Sequence, residues 1–109
     1  MICDQWDVII VPFPFTERAG EKHRPALVVS RWAFNQSGHT VLAMITSAAH
    51  RAWPGDSALA DPEAAGLRLP CIVRLKLFTL DHRVIFRRIG QVTSADRRAV
   101  EKNLRAYVL

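Results

Sequence analysis

The sequence predicts a small, mainly β fold, in which a strongly bent antiparallel sheet is closed by one C-terminal helix. The chain has 109 residues, which is enough for one domain with one core, and residues 1–109 are taken as a single domain. Five short apolar and β-branched runs are separated by proline, glycine and polar stretches, a pattern typical of strands. One amphipathic segment follows the last run, as expected for a helix.

The first three strands occupy the N-terminal half of the chain. Residues 6–11 form the first predicted strand, which ends at the proline-rich residues 12–15 because proline cannot donate to a strand ladder. Residues 16–24 are polar, contain Gly20, and predict an exposed loop. Residues 25–31 and 40–46 form the second and third strands, with a turn at 35–38 between them.

The next stretch is irregular before strand patterning returns. Residues 47–69 contain a turn at 53–56 and one helical turn at 62–65. Residues 71–78 alternate, with Val73, Leu75 and Leu77 facing one way and Arg74 and Lys76 the other, which predicts a half-buried strand with a basic outer face. Residues 79–82 connect it to a fifth strand at 84–92.

The C-terminal segment reads as one amphipathic helix. Thr93 is a candidate N-cap, and with Asp96 it fits the capping-box pattern. Val100, Leu104 and Val108 recur every four residues and form the apolar stripe. Because so short a sheet would expose its edges unless it closed, an SH3-like barrel is the preferred architecture and an OB-fold is the second choice.

The charge of the chain is concentrated at its C-terminal end. The net charge is +5, with 15 Lys and Arg against 10 Asp and Glu. Residues 1–82 are balanced, so the whole excess falls in residues 83–109. A local basic stretch suggests a polyanion or an acidic protein as partner. The alternative is a solvated, charged helix face.

Several broad protein classes are excluded by what the sequence lacks. No apolar run approaches the ~20 residues of a membrane span. Residues 1–7 hold two acids and no basic residue, so they do not read as a signal peptide, and we expect a cytoplasmic protein without a membrane partner. In that compartment Cys3 and Cys71 are expected to be reduced thiols, with a disulfide as the alternative if the protein is exported.

The common enzyme motifs are also missing. The sequence has no glycine-rich phosphate loop, no HExxH, no paired CxxC and no GxSxG elbow. Its four histidines have no partner at helical spacing, so we expect neither a metal site nor a cofactor; they are His23, His39, His50 and His82.

What remains for chemistry is a group of polar residues near strand ends. Arg24 lies where the first loop enters the second strand, with Glu21 and His23 before it, and Thr46 and Ser47 lie where the third strand ends. A guanidinium binds phosphate, a hydroxyl positions a phosphoryl oxygen, and a carboxylate or imidazole moves a proton. A substrate such as RNA, which brings its own 2′-hydroxyl, needs only such groups. The alternative is an ordinary solvated surface.

Four stretches of the chain resemble the MazF/PemK family, the ribonuclease toxins of bacterial type II toxin–antitoxin pairs. They are residues 7–16, residues 24–30 (RPALVVS), residues 44–47 (MITS), and residues 73–81 together with 88–90. The resemblance implies an SH3-like barrel that forms a homodimer, cleaves single-stranded RNA without a metal, and is held by a cognate acidic antitoxin.

The same resemblance implies roles for individual residues. Arg24 and Thr46 match the family's catalytic pair, with Ser47 adjacent, and the arginine is expected to stabilise the charge on phosphorus. Arginine stays protonated, so proton abstraction is expected from a neighbouring acid or imidazole. Glu21 stands three residues before Arg24, whereas some relatives have a glutamate five before it. His23 is a candidate from its own chemistry alone.

RNA contacts are expected from basic and aromatic residues outside this pair. Lys76 stands where some relatives carry a glutamine, and would contact a phosphate rather than a base edge. Trp53 either stacks on a base or packs against the barrel. The full set of RNA-binding candidates is Lys76, Arg74, Arg87, Arg88, Trp53 and Phe15. Several aromatic residues lie in or beside loops, and some of them are expected to be exposed in a monomer and to form a dimer patch; these residues are Phe13, Phe15, Trp32 and Phe34.

Two further functions stay open at this point. The barrel is similar to that of the gyrase-poisoning CcdB toxins, which bind a protein and cleave nothing. A barrel that binds RNA without cleaving it is the other alternative. The presence of both Arg24 and Thr46 favours the nuclease, because a binding protein has no need of the pair.

Overall fold

The computed structural model describes residues 1–13, 23–49 and 51–109. These described residues form six strands and two α-helices. In chain order they are β1 (Asp7–Pro12), β2 (His23–Val28), α1 (Trp32–Asn35), β3 (His39–Ser47), β4 (Ser57–Ala58), β5 (Cys71–Asp81), β6 (Arg87–Gln91) and α2 (Ser94–Tyr107).

The strands form one curled sheet in the order β4-β5-β3-β2-β1-β6, with every neighbouring pair antiparallel. This half-barrel with a C-terminal helix confirms the predicted fold class. Its two edge strands are short, at two residues for β4 and five for β6, and short edges offer few free backbone groups to other chains.

Apolar side chains cover both faces of the sheet. The face that packs against α2, called the helix face below, carries Val8, Leu27, Ala43, Ile45 and Val73 together with Val100 and Leu104 of the helix. The opposite face, called the Phe13 face, carries Ile9, Val11, Phe13, Ala26, Val28 and Leu42. Burial on both faces explains why the central strands β2 and β3 read as nearly continuous apolar runs.

Three of the predicted strands have a boundary that differs from the structure by two residues or more. The second strand begins at His23 rather than residue 25, and ends at Val28. The strand β5 runs on to Asp81, where a 3₁₀ turn over His82–Val84 delays the start of β6 to Arg87. Asp81 caps this turn by accepting from the backbone N–H of Arg83, whose side chain also donates to it, and these bonds lower the pKa of Asp81 to about 2.

The C-terminal helix is present as predicted, but its capping box is only half formed. The Thr93 hydroxyl accepts from the backbone N–H of Asp96 at 3.2 Å, as an N-cap should. The Asp96 carboxylate does not return to Thr93. It is buried and accepts from the backbone N–H groups of Ala60 and Asp61 at 2.8 and 3.1 Å. The helix therefore anchors the segment that leads away from β4.

Two sequence expectations concern thiols and membrane spans. Both cysteines are free, and burial raises the pKa of the Cys3 and Cys71 thiols. Among the described residues, no helix has the length and apolar character needed to span a membrane.

We expect Asp96→Ala to lower the free energy of unfolding by about 2–3 kcal/mol, because it leaves two backbone donors without their charged acceptor. Glu101→Ala on the same helix is the control, with an expected change within about 0.5 kcal/mol. Urea denaturation measures both, and equal effects of the two substitutions would contradict the anchoring role of Asp96.

Candidate functional site

The register of the two central strands brings the predicted catalytic pair together. β2 pairs antiparallel with β3, with Ala26 opposite Met44. The β2–β3 pairs end there, and Arg24 and Thr46 each lie two residues beyond that last pair, at the neighbouring ends of their strands. Because alternate residues of a strand point to the same face, both side chains lie on the Phe13 face, at the ends of the two strands. Strand pairing thus brings two residues that are far apart in the sequence to the same end of the sheet.

The guanidinium of Arg24 is held over an aromatic ring. Its Cζ lies 5.6 Å from the centre of the Phe13 ring, within cation–π range. Its Nε atom is buried and has no hydrogen-bond partner among residues 1–13, 23–49 and 51–109. A buried, unpaired N–H of a charged group is costly, and an incoming anionic oxygen would satisfy it. The position is therefore arranged to receive an anion.

Thr46 and Ser47 play different parts despite being adjacent. Thr46 is 4% exposed and pairs with Ile72 of β5, so this side chain is packed in place. Ser47 is exposed and alternates to the other face of β3, where its Oγ accepts from the backbone N–H of Ala49 at 3.2 Å. Of the two hydroxyls, that of Thr46 belongs to the Arg24 face.

His23 is turned away from Arg24 by the same alternation. It is exposed, and its ring lies 5.2 Å from the ring of Phe86, just before β6. Glu21 and Phe15, the other two candidates near this end of β2, lie outside the described residues.

The predicted RNA-binding residues of β5 reach the same face as Arg24 and Thr46. Arg74 pairs with Met44 of β3 and points to the Phe13 face, as does Lys76. The Arg74 guanidinium donates to Asp56 through Nε at 3.1 Å and Nη2 at 3.0 Å, and Nη2 also donates to the Arg51 carbonyl at 2.6 Å. Its charge is therefore matched within the protein.

Trp53 lies beside these two cations. Arg74 Cζ and Lys76 Nζ are 5.5 and 5.8 Å from the centre of its ring. Trp53 is nevertheless 42% exposed, so packing against the barrel, the alternative role considered above, covers only part of the residue.

The remaining basic candidates, Arg87 and Arg88, lie on the edge strand β6, which is separated from β2 by β1. With Arg68 they line a groove of about 600 Å³. Ile10 and Pro25 of the groove wall alternate with Val11 and Arg24, and Arg87 stands opposite Ile10, so the groove and Arg87 lie on the opposite face of the sheet from the Arg24 guanidinium. Arg88 stands opposite Ile9, so its side chain lies on the Phe13 face, two strands away from β2.

Arg88 has a structural partner of its own. Its Nε donates to Asp7 Oδ1 at 2.9 Å, and the Asp7 side chain is 4% exposed whereas that of Arg88 is 52% exposed. Gln91 and the backbone N–H of Asp4 also donate to the Asp7 carboxylate. The pair ties the start of β1 to β6.

The candidate site combines a guanidinium and a buried hydroxyl on one face of the sheet, which are groups that suit an anionic ligand. Within the described residues, no three His, Cys, Asp or Glu side chains come together as a metal site would require. Sequence reasoning missed Phe13 as the support of Arg24, Asp56 as the partner of Arg74, and Arg68 in the β6 groove. These contacts join residues distant in the chain, and no local pattern marks them.

Comparisons with known proteins agree with this architecture. Residues 4–108 match the family model described as PemK-like, MazF-like toxin of type II toxin–antitoxin system. A search of curated proteins returns no significant match.

Solved structures give the same fold at low sequence identity. They include the Mycobacterium tuberculosis toxin MazF-mt6 (20% identity, 94% of this chain and 97% of that chain, TM-score 0.74). A MazE–MazF structure from Deinococcus radiodurans is similar (21%, 97% and 95%, TM-score 0.75). So is an endoribonuclease in complex with its cognate antitoxin from a mycobacterial species (20%, 95% and 92%, TM-score 0.73).

The contacts of the two β6 arginines lead to a stability prediction. Arg88→Ala leaves the buried Asp7 carboxylate with fewer donors, and we expect the free energy of unfolding to fall by about 1–2 kcal/mol. Arg87→Ala, on the adjacent exposed residue, is expected to change it by less than about 0.5 kcal/mol. Thermal or urea unfolding of both variants checks the difference, and an Arg88→Ala protein as stable as the wild type would show that the ion pair contributes nothing.

Proposed function

Because the chain belongs to the PemK-like, MazF-like toxin family of type II toxin–antitoxin systems, whose members are known as endoribonucleases, we propose that it is a toxin that cleaves single-stranded RNA in the cytoplasm. The observation that carries the proposal is the arrangement of Arg24 and Thr46 at the ends of paired strands, with a buried guanidinium N–H that lacks a partner in the described chain. That arrangement suits a phosphodiester, whose non-bridging oxygens are anionic acceptors.

The reaction we propose uses the nucleophile of the substrate itself. The 2′-oxygen of the ribose attacks the adjacent phosphorus, the bond from phosphorus to the 5′-oxygen of the next nucleotide breaks, and a 2′,3′-cyclic phosphate and a 5′-hydroxyl result. Charge builds on the non-bridging oxygens as the phosphorus becomes five-coordinate. Arg24 would donate to these oxygens, and its position over Phe13 orients the guanidinium before substrate arrives. The Thr46 hydroxyl would hold a phosphoryl oxygen beside it.

Proton transfer requires a different group, since arginine does not release its proton at neutral pH. Glu21 and His23 are the two candidates near the start of β2. We propose Glu21 for the step, because the contact of His23 with Phe86 and its place on the other face of β2 support a role outside the Arg24 site.

RNA is proposed to contact two basic surfaces. Lys76 of β5 lies on the face of the catalytic pair. The groove lined by Arg87 lies on the opposite face, and would hold the RNA backbone beyond the cleavage site, whereas Arg88 would meet RNA on the Phe13 face, beside Asp7. Phe15, outside the described residues, is kept as a candidate contact in the loop before β2.

An acidic antitoxin and a second copy of the chain are the proposed protein partners. Two structural relatives were solved in complexes with an antitoxin or with MazE. In this chain Trp32 and Phe34 of α1 are about half exposed, whereas Phe13 is buried against Phe78. Some of the loop aromatics were expected to be exposed; Trp32 and Phe34 are, Phe13 is not, and the apolar patch proposed for the dimer therefore rests on α1.

We expect Arg24→Ala and Thr46→Val each to lower the rate of RNA cleavage by roughly a hundredfold or more, the usual effect of removing one donor from a charged transition state. Valine keeps the volume of the buried threonine and removes only its hydroxyl. Cleavage of a long RNA in EDTA, with analysis of the product ends, measures the effect. The same assay on the wild type should give 5′-hydroxyl products and be insensitive to the chelator.

Two controls make the cleavage test specific. His23→Ala, next to Arg24 in sequence but on the other face, should cleave within a few-fold of the wild-type rate, whereas Glu21→Gln should not. Folded Arg24→Ala and Thr46→Val proteins that cleave as fast as the wild type, or products carrying a 5′-phosphate, would refute the proposed mechanism.

For the partners, we expect a homodimer at micromolar concentration by sedimentation, and Phe34→Glu should shift it toward monomer. Tyr107→Glu, which changes an exposed aromatic residue at the end of α2, serves as the control. A monomeric wild-type protein at that concentration would contradict the dimer.

The antitoxin prediction concerns competition. An acidic antitoxin segment is expected to inhibit cleavage competitively with RNA, and the inhibition should weaken at high salt because both ligands are polyanions. A stable complex that contains the protein, uncleavable RNA and antitoxin together would contradict a shared site.

A further inference from the structure

We propose that Trp53 is the stacking surface for a nucleobase next to the cleaved phosphate, and that Arg74 is a positioning residue that holds this surface rather than an RNA contact. The inference rests on the proposed RNA substrate and adds to it a base-binding subsite. It starts from the finding that Arg74, expected to bind phosphate, is engaged elsewhere.

Three of the five N–H donors of Arg74 already have partners within the protein, which disfavours a phosphate contact. Its side chain is 11% exposed and that of Asp56 is 14% exposed, so the bidentate ion pair between them is largely shielded from water. A third bond goes to the carbonyl of Arg51. A paired and buried guanidinium of this kind fixes geometry.

This ion pair fixes the turn that carries Trp53. Asp56, besides binding Arg74, accepts from the backbone N–H of Trp53 at 2.9 Å, and its own N–H donates to the Trp53 carbonyl at 3.1 Å. Pro54 and Gly55 occupy the two central positions, and Gly55 has φ +80°, as a turn with a left-handed third residue requires. The turn that carries the indole is therefore closed by two hydrogen bonds between Trp53 and Asp56, one to a carboxylate and one between backbone groups.

The turn is also held from the helix face. A Cβ at Gly55 would come within 2.6 Å of Leu75 Cδ1 and 3.2 Å of Tyr107 Cδ2, which shows how closely the turn packs there. Asn103 of α2 donates to the Asp56 carbonyl and to the Ser57 hydroxyl. An aromatic ring on so constrained a turn loses little freedom when a ligand stacks on it.

The position and surroundings of Trp53 fit a nucleobase. Arg74 and Lys76 are two residues apart on β5 and approach the ring from the same side of the sheet, yet 42% of the residue remains exposed. Met44, opposite Arg74, is two residues, about 7 Å, from Thr46 along β3 and on the same face. An RNA whose phosphate lies at Arg24 and Thr46 can thus place a neighbouring base on the indole.

The test uses a short single-stranded RNA with 2′-O-methyl groups throughout, which cannot be cleaved, and follows tryptophan fluorescence as it binds. We expect RNA to quench the emission of the wild type. The matched control is Trp32→Phe, which removes a similarly exposed indole on α1 (45%) and keeps an aromatic ring in the proposed dimer patch. Once sedimentation shows its oligomeric state to be that of the wild type, it should be quenched to the same extent. Trp53→Phe should lose the quenching and keep affinity within a few-fold, whereas Trp53→Ala should bind roughly tenfold more weakly.

The Arg74→Lys substitution distinguishes a positioning role of the Arg74 side chain from a direct contribution of its charge to RNA binding. Lysine keeps the positive charge but cannot form the bidentate pair with Asp56. With cleavable RNA, we expect KM to rise several-fold at an almost unchanged kcat, and Asp56→Asn to give the same pattern. A direct phosphate contact by Arg74 would instead be preserved in part by lysine and unaffected by Asp56→Asn, and that result would overturn the positioning role.

The outcomes distinguish this inference from the proposed function. If the wild type cleaves RNA but Trp53→Ala keeps its affinity and KM, the base subsite is wrong and the nuclease proposal stands. If quenching through Trp53 occurs but the wild type does not cleave, the subsite stands and the nuclease proposal fails. Loss of antitoxin binding in Trp53→Ala, with RNA affinity unchanged, would assign the surface to a protein and overturn the inference.

Discussion

The pairing of β2 with β3 is the constraint on which the rest of the molecule depends. Both strands are central in the sheet, and their side chains are buried alternately on the helix face and the Phe13 face. A one-residue slip would move every apolar side chain to the wrong core, so the register is strongly specified. The same pairing brings the start of β2, where Arg24 lies, next to the end of β3, where Thr46 lies. The geometry of the candidate site is therefore a consequence of core packing, and needs no separate element to create it.

Burial on both faces also determines where polar chemistry can occur. The middle of a central strand is unsuited to a charged group, because burying an unpaired charge there would cost too much free energy. Polar side chains can appear only where the strands run out of the core, as Arg24 does at the start of β2 and Thr46 at the end of β3. The same limit explains Arg74, which lies on a strand but is neutralised by Asp56 and covered by Trp53.

Much of the fold follows from local pattern, while the site follows only in part. Alternation along β5 correctly placed Val73, Leu75 and Leu77 on one face, and the Thr93 cap started α2 at the right residue. The two-residue strand β4 and the one-turn helix α1 were missed, since segments so short carry no periodicity.

Side-chain partners were harder to foresee. Phe13, one of the aromatics considered for an exposed patch, is buried against Phe78, and Asp96 binds the backbone near Ala60 rather than Thr93. Such pairings are decided by tertiary contacts, which no spacing in one sequence records.

The location of the net charge now has a physical interpretation. Most of the positive excess belongs to β6 and α2, whereas the proposed catalytic pair lies on the Phe13 face, and Arg74 there is matched by Asp56. Charges remote from a site act through the field of the whole molecule, raising the rate at which a polyanion arrives, and this effect is screened by salt. Contacts at the site act over hydrogen-bond distances and persist at ionic strengths that remove the field. The strongly basic character detected first in the sequence therefore describes how RNA would be attracted, and the small group around Arg24, Thr46 and Trp53 describes how it would be held.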